Sequence, residues 1–375
     1  MTTGARSTLC LRRMAVCGRI EQIHRTERLH MNRRVGALCL ALCLLLGAGC
    51  AASPEDTNSE YSEYLMAMDT LMTLTAYGPQ AEEGVTQARA VITALEGLLS
   101  VTDEDSEVWA INHSGGASVT VQADTAALLD LSLDLAQKTG GALDPTIYPV
   151  LRAWGFTTDQ KRVPGAEELA GLLERVDYTA VEWDGETITL PDGMELDFGS
   201  VAKGYAGQKA AEALRAAGVT SALLDLGGNI QTVGSHDGQP WRIGITDPED
   251  PQSYLGVVTV EDEAVVTSGG YQRYFEENGV RYWHILDPST GQPARSGLSS
   301  VTIIGSDGGL CDGLSTALFV LGLEGAADYW RQWGGFEAVL ITDEGQVWIT
   351  EGLEDRFTLT GTYAEGTVEV LRQGD

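Results

Sequence analysis

Cysteine, histidine and lysine are scarce in this sequence of 375 residues. It holds six cysteines and five histidines, and Cys311 is the only cysteine after position 50. A single cysteine cannot form an intramolecular disulfide, so the body of the protein has no disulfide framework. A structural zinc site takes four cysteine or histidine ligands, and these residues are too sparse to supply one.

Positive charge is also in short supply. The chain has 24 Lys+Arg against 54 Asp+Glu, a formal net charge of −30. Eight arginines lie in the first 35 residues beside two glutamates, so the remaining residues carry a net charge of −36. A body this acidic repels polyanions, which disfavours a nucleic-acid partner. With 43% hydrophobic residues, the composition is that of a protein that folds.

Several common motifs are absent from the sequence. It has no GxxxxGK[ST], GxGxxG, HExxH or GxSxG motif. P-loop, Rossmann, zincin and α/β-hydrolase assignments therefore lose their main support.

A targeting segment is predicted near the N-terminus. The basic stretch MNRR (31–34) precedes the uncharged run VGALCLALCLLLGAGC (35–50), which is too short to cross a bilayer of about 30 Å but suits a signal peptide. LGAGC (46–50) resembles a bacterial lipobox, with Gly47 where leucine is usual. We expect lipidation at Cys50 and an anchor on the extracytoplasmic face of the bacterial cell membrane. Ordinary signal-peptidase cleavage and an uncleaved anchor are the alternatives.

The chain divides by composition into four parts. Residues 1–30 hold no signal-peptide pattern and are interpreted as an over-extended start, with Met31 as the true first residue. Residues 31–49 form the predicted lipoprotein signal peptide. Residues 50–63 are small, polar and acidic, as in a flexible tether. Residues 64–375 form the predicted folded domain.

Hydrophobic periodicity predicts helices and short strands in irregular alternation. The helices are expected at 81–99, 124–138 with Asp124 as N-cap, 203–217, 312–321 and 325–333. The strands are expected at 187–190, 222–226, 241–245, 255–260, 264–267, 300–304, 338–341 and 347–350. Several strands are close enough to pair as hairpins, which favours a mixed α/β fold with substantial antiparallel sheet.

Glycine-flanked polar loops join these elements. They are GALDPT (141–146), DFGSVAKG (197–204), DLGGN (225–229), TSGGY (267–271) and HILDPSTG (284–291). Glycine permits positive φ or a close approach of ligand to backbone, and Lys203 just before a helix start suits an anion site. Taken singly, each loop favours a turn over a binding site.

Asp312 and Thr316 lie four residues apart at a predicted helix start, and therefore on one helix face. A carboxylate and a hydroxyl are hard oxygen ligands that suit Mg²⁺. In the structural alternative Asp312 caps the helix and Thr316 bonds a carbonyl one turn back. Spacing alone slightly favours that alternative.

Taken together and in order, these motifs make residues 68–347 resemble the ApbE family of bacterial lipoproteins, the FAD:protein FMN transferases. The matching segments are MDT (68–70), GALDPT (141–146), AKGYA (202–206), LGGN (226–229), TSGGY (267–271), HILDPSTG (284–291) and DGLSTAL (312–318). The resemblance implies a bilobed, T-fold-related α/β (mixed α+β) architecture with helices packed on antiparallel sheet. It also implies a Mg²⁺-dependent enzyme that cleaves FAD, attaches FMN through a phosphoester bond to a threonine or serine of a client flavoprotein, and releases AMP.

The resemblance assigns site residues by position. Asp312 and Thr316 match metal ligands, and Ser200 matches the residue whose carbonyl binds the metal. The positions that match FAD contacts are Met68, Ala142, Leu143, Asp144, Lys203, Ser268 and His284. His284 or Asp287 could serve as general base, and the sequence does not choose between them. Clients would carry a flavinylation motif, as in membrane redox complexes or extracellular flavoproteins.

Two departures and two other functions remain open at this level. Gln208 replaces a carboxylate common in the family, which could alter the hold on the adenosine half of FAD, and Asp69 stands where glycine is common. An FAD pyrophosphatase would use water as acceptor, and a flavin-binding lipoprotein would leave FAD intact.

Overall fold

The computed structural model describes residues 59–158 and 160–374. This part of the chain holds seven α-helices. They are α1 (Ala81–Leu99), α2 (Glu107–Asn112), α3 (Ala123–Lys138), α4 (Tyr148–Trp154), α5 (Ala166–Leu173), α6 (Ala202–Ala216) and α7 (Gly308–Trp333).

Nineteen strands lie in the same described part of the chain. The first ten are β1 (Glu60–Ala67), β2 (Thr70–Tyr77), β3 (Val119–Thr120), β4 (Glu182–Trp183), β5 (Thr187–Thr189), β6 (Ser221–Asp225), β7 (Asn229–Gly234), β8 (Trp241–Thr246), β9 (Tyr254–Val260) and β10 (Ala264–Gly269). The others are β11 (Tyr274–Glu277), β12 (Val280–Trp283), β13 (Leu286–Asp287), β14 (Gln292–Pro293), β15 (Leu298–Gly305), β16 (Glu337–Thr342), β17 (Val347–Thr350), β18 (Phe357–Leu359) and β19 (Val368–Leu371).

A nine-stranded sheet forms the centre of the fold, in the order β1-β2-β6-β7-β10-β15-β16-β17-β19. Its neighbouring strands pair antiparallel throughout, except that β17 and β19 are parallel. The predicted mixed α/β class with substantial antiparallel sheet is confirmed.

The central strands are buried on both faces, because alternate residues of a strand point to opposite sides. In β15, Ile303 packs into the core that holds the helices, and Ile304 packs into a second core beneath the sheet β18-β9-β8. Ala338 and Val339 of β16 divide in the same way. This double burial explains the uninterrupted apolar runs that marked these strands in the sequence.

Helices α6 and α7 cross at two glycines. A Cβ placed on Gly204 would lie 2.0 Å from the carbonyl oxygen of Gly308, and a Cβ on Gly308 would lie 2.4 Å from that of Gly204. Any side chain at either position therefore collides with backbone. This crossing fixes the residues next to it, Lys203 on α6 and Asp312 on α7.

The first hairpin was not predicted. Strand β1 begins at Glu60, so residues 60–63 are strand rather than part of the predicted tether, and the rest of that tether lies outside the described residues. The turn residues Met68 and Asp69 have φ of 49° and 58°, as in a type I′ turn. Glycine adopts a positive φ at less cost than other residues, so Asp69 holds a backbone conformation in which glycine is favoured.

Two helix starts also differ from prediction. Asp124 lies in the first turn of α3, where its Oδ1 accepts a hydrogen bond from Tyr205 Oη at 2.7 Å, and Gln122 occupies the N-cap position. Helix α7 begins at Gly308 with Asp307 as its N-cap, and Asp307 Oδ1 accepts from Leu310 N. The predicted break between two helices near residues 321–325 is present at Gly322, whose φ is 76°.

Helix α7 is also long and apolar enough to cross a membrane by length and composition. Most of it is buried inside the protein, as in the core helix of a globular domain.

The glycine crossing generates a stability prediction. Gly204→Ala should destabilise the protein by about 3 kcal/mol, since the added methyl group overlaps the Gly308 carbonyl. Gly97→Ala in α1 is the matched control, because a Cβ there meets no atom within 4 Å. The control should gain about 0.5–1 kcal/mol from better helix propensity. Urea unfolding of both variants measures the difference, and equal effects would contradict the proposed crossing constraint.

Candidate functional site

A cavity of about 840 Å³ is lined by the turn at residues 68–70 and by the loops that follow α3, precede α6 and join β6 to β7. The predicted FAD and metal positions all line it, namely Met68, Ala142, Leu143, Asp144, Ser200, Lys203, Ser268, His284, Asp312 and Thr316. The fold therefore brings together residues that are far apart in the sequence, from Met68 to Thr316. The cavity walls carry the glycine-flanked loops that the sequence singled out.

Asp312 is the buried carboxylate of the cavity. It is 4% exposed, its Oδ2 accepts a hydrogen bond from Gly204 N at 2.8 Å, and its Oδ1 lies 3.9 Å from Lys203 Nζ. Burial raises the pKa of Asp312, and the positive charge of Lys203 opposes that rise. The helix crossing thus places a carboxylate and an ammonium group side by side.

Three hydroxyls surround the same corner of the cavity. Ser268 Oγ lies 2.8 Å from Ser315 Oγ and 3.3 Å from Thr316 Oγ1. Ser315 Oγ donates to the Asp312 carbonyl oxygen at 2.8 Å. Asp307 rather than Asp312 caps the helix, so the alternative in which Asp312 is the cap is wrong. Thr316 Oγ1 has the Ser268 side chain as a partner.

The oxygen donors offered by three residues of the cavity lining are of the kind that a hard divalent cation prefers. The Asp312 carboxylate, the Thr316 hydroxyl and the residue Ser200, proposed to offer its carbonyl, all line the cavity. Among the described residues, no group of three or more His, Cys, Asp or Glu side chains could hold a metal ion. A cation here would therefore need further oxygens from water or a phosphate ligand, which is typical of Mg²⁺.

Asp144 is largely occupied by the loop that carries it. Its Oδ1 accepts from Thr146 N and Oγ1 at 2.8 and 2.6 Å, and its Oδ2 accepts from Tyr178 N at 3.1 Å. Burial raises the pKa of this carboxyl, while these hydrogen bonds lower it. Asp144 therefore holds the shape of the cavity wall in which Ala142 and Leu143 lie.

His284 lines the cavity with its Nδ1 buried and unpaired within the described part of the chain. Burial lowers the pKa of His284 to about 3, and the charges of Arg273 and Lys203 add to this shift. The imidazole is therefore neutral at physiological pH. A neutral imidazole is the form that can accept a proton.

Asp287, the second candidate base, does not line the cavity. Its Oδ1 accepts from Ser289 N and Oγ at 2.8 and 2.7 Å, which closes the turn after β13. The prediction that Asp287 acts as a base is not supported by this position. Cys50 lies outside the described residues.

Three lining residues were not singled out from the sequence. Arg273 is a second cation in the cavity, and its Nη2 donates to the Phe156 carbonyl oxygen at 3.3 Å. Asp197 accepts from Gly199 N at 2.6 Å, and burial raises its pKa. Asn229 is 4% exposed, with its Nδ2 unpaired in the described part of the chain. Asp197 and Asn229 lie in loops that the sequence had marked.

Gln208 does not face the cavity. Its Oε1 accepts a hydrogen bond from Gly308 N at 3.0 Å, in the first turn of α7. The expected effect of this substitution on the adenosine half of FAD has no support in this geometry. The residue instead supplies a partner for one of the free N–H groups at a helix start.

Comparison with known proteins identifies the family of this chain. The model of the ApbE family matches residues 68–340. A protein named FAD:protein FMN transferase from Treponema pallidum is 35% identical over 86% of this chain and 94% of its own length. A Klebsiella pneumoniae protein of the same name is 33% identical over 80% of this chain and 93% of its own.

Solved structures give the same result. The ApbE protein from Thermotoga maritima superposes with a TM-score of 0.75 at 32% identity, over 80% of this chain and 99% of its own. The apo form of the flavinyl transferase ApbE from Pseudomonas stutzeri has a TM-score of 0.68 at 31% identity, over 82% and 96%.

The low pKa of His284 predicts a pH dependence of stability. Its native pKa of about 3 lies below the ordinary value of 6.5, so the unfolded state binds more protons between these values. This group therefore leaves the free energy of unfolding unchanged well above pH 6.5 and lowers it as the pH falls below that value, with a slope that approaches about 1.4 kcal/mol per pH unit. Urea unfolding between pH 5 and 7 should show a smaller pH dependence in His284→Asn. Parallel curves for the two proteins would rule out this assignment.

Proposed function

This chain belongs to the ApbE family, and we propose that it cleaves FAD with Mg²⁺ and transfers FMN to a hydroxyl of a client flavoprotein. The acceptor is a threonine or serine side chain, the new bond is a phosphoester, and the product released is AMP. The observation that carries this proposal is the convergence of Lys203, Asp312 and Thr316 in one cavity, as chemistry at a pyrophosphate requires.

The proposed transfer is a single displacement at the phosphorus of the FMN half of FAD. The acceptor oxygen bonds to the phosphorus of the FMN half, the bond from that phosphorus to the bridging oxygen breaks, and AMP leaves with the bridging oxygen. The proton of the acceptor hydroxyl must go to a base, and the only free product besides AMP is this proton.

The metal-binding corner would hold the cation through Asp312, Thr316 and the carbonyl of Ser200. When bound, Mg²⁺ supplies charge neutralisation at the phosphate oxygens. The Asp312 carboxylate is held by the Gly204 N–H, which orients it before any cation arrives. One protein carboxylate leaves room for phosphate oxygens in the coordination sphere.

The two cations of the cavity would bind the pyrophosphate. Lys203 and Arg273 line the cavity beside five carboxylates. The cavity wall is therefore net acidic when neither a ligand nor a metal cation is bound. The carboxylates are Asp69, Glu96, Asp144, Asp197 and Asp312. An anion seated between Lys203 and Arg273 is attracted by both, and a divalent cation offsets the remaining negative charge.

His284 is the better placed of the two candidate bases. Its pKa is low partly because Arg273 and Lys203 are positive. A pyrophosphate bound to those cations offsets their charge and raises the pKa of the imidazole toward the range useful for proton transfer. His284 would then accept the proton of the acceptor hydroxyl.

We also propose that the enzyme works outside the cytoplasm. The signal peptide and lipobox of residues 31–50 would anchor it through Cys50 to the extracytoplasmic face of the cell membrane. Its clients would then be membrane redox complexes or extracellular flavoproteins that carry a flavinylation motif. Mass spectrometry of the membrane-extracted protein would detect a lipidated N-terminal cysteine.

The activity test uses a soluble form that begins near residue 54. Incubated with FAD, Mg²⁺ and a client domain carrying the flavinylation motif, it should release AMP and add the mass of FMN to the client. Asp312→Asn should lower the rate about 100-fold or more, because it removes the charged metal ligand. Asp307→Asn is the matched control on the same helix, since asparagine also caps helices, and it should retain activity.

The outcomes separate the possible functions. AMP release without a client adduct, at equal rates with and without client, would indicate an FAD pyrophosphatase. FAD that stays intact through prolonged incubation with Mg²⁺ would indicate a flavin-binding lipoprotein. Full activity of Asp312→Asn, or in the presence of a chelator, would contradict the role of the metal.

A further inference from the structure

We infer that Ser315 and Ser268 set the direction of the Thr316 hydroxyl, so that its lone pairs rather than its proton face the cation. This inference rests on the metal site of the proposed function. The three hydroxyls are called the hydroxyl relay below. Within it Ser315 is a positioning residue, because it does not line the cavity.

The hydroxyl relay begins at the backbone carbonyl of Asp312, which can only accept a hydrogen bond. Ser315 Oγ lies 2.8 Å from the carbonyl oxygen of Asp312. A carbonyl oxygen has no proton, so Ser315 must donate, and a hydroxyl has only one proton to give. The proton of Ser315 is therefore committed to the Asp312 carbonyl.

The direction of the next two hydrogen bonds follows from this first one. Ser268 Oγ lies 2.8 Å from Ser315 Oγ, and Ser268 must be the donor because Ser315 has no proton left. Ser268 Oγ also lies 3.3 Å from Thr316 Oγ1, and by the same reasoning Thr316 donates there. The Thr316 proton thus points at Ser268, and the lone pairs of its oxygen remain free.

Burial keeps water away from the two serines that orient Thr316. Ser315 is 0% exposed and Ser268 is 9% exposed. A threonine hydroxyl that turned freely would at times point its proton at the cation, which is repulsive, whereas the relay holds the oxygen ready to coordinate. Partners that orient metal ligands in this way are worth about 10- to 100-fold in metal affinity.

The test variant is Ser315→Ala, which removes the fixed donor and frees Ser268 and Thr316 to reverse. The Mg²⁺ concentration for half-maximal FMN transfer should rise about tenfold, while kcat at saturating Mg²⁺ stays close to wild type. The second readout needs no FAD. Titration with Mg²⁺ alone, followed by the rise in Tm of the protein, should shift to higher concentration by the same factor.

Two further variants make the result specific. Thr302→Val removes another buried hydroxyl pair of equal length, between Thr302 Oγ1 and Thr267 Oγ1 at 2.8 Å, from a residue that does not line the cavity. It controls for loss of a buried hydrogen bond and should leave the Mg²⁺ dependence unchanged. Ser268→Ala breaks the relay at its middle and should weaken Mg²⁺ binding in the same direction, even if Ser315→Ala fails to fold.

Each outcome decides the point. An unchanged Mg²⁺ dependence in Ser315→Ala, or an equal shift in Thr302→Val, overturns the relay and leaves the proposed transfer reaction standing. A wild-type protein that shows no Mg²⁺ dependence in either readout overturns the metal site itself, and the relay with it. A selective shift in Ser315→Ala and Ser268→Ala supports the inference.

Discussion

The close contact between the backbones of Gly204 and Gly308 positions Lys203 and Asp312, which form the only ion pair with a buried carboxylate in the cavity lining, among the described residues. It sets the distance between α6 and α7, so that Lys203 and Asp312 come within 3.9 Å and the Gly204 N–H reaches the Asp312 carboxylate at 2.8 Å. Asp312 is only 4% exposed, and burying a charged carboxylate costs free energy unless it has such partners. The same helix crossing therefore stabilises the buried charge of Asp312 and positions this carboxylate to bind a cation.

Charge balance ties this corner to the rest of the cavity. The body of the protein is strongly acidic, yet two cations, Lys203 and Arg273, line the same cavity. Burial lowers the pKa of His284, and both cations lower it further. Both cations also oppose the rise that burial causes in the pKa of Asp197, and Lys203 opposes the same rise in the pKa of Asp312. An anionic ligand would change the protonation of these groups together, which couples binding to proton transfer.

The sequence predicted the elements with strong periodicity and the residues with distinctive chemistry. Helix α1 has the predicted bounds, and Asp312 and Thr316 share the cavity as their spacing required. Features set by hydrogen bonds within a loop or by charges from distant loops were missed. Helix α7 begins four residues before Asp312 because Asp307 caps it. The Asp287 carboxylate accepts a hydrogen bond within its own loop and does not reach the cavity. Hydrogen bonds within a loop and charged partners from distant loops, such as Arg273, leave no periodic signal.

Gln208, which stands where the resemblance leads us to expect a carboxylate, acts away from the cavity. Its amide oxygen accepts the Gly308 N–H at 3.0 Å, beside the glycine crossing itself. The first N–H groups of a helix have no partner within the helix, so this bond ties α6 to the start of α7 at the point where Asp312 is positioned. A carboxylate there would add a favourable charge at the helix N-terminus, but also one more negative charge to a strongly acidic protein. The neutral amide keeps this hydrogen bond and adds no further negative charge to a protein body that already carries a net charge of −36.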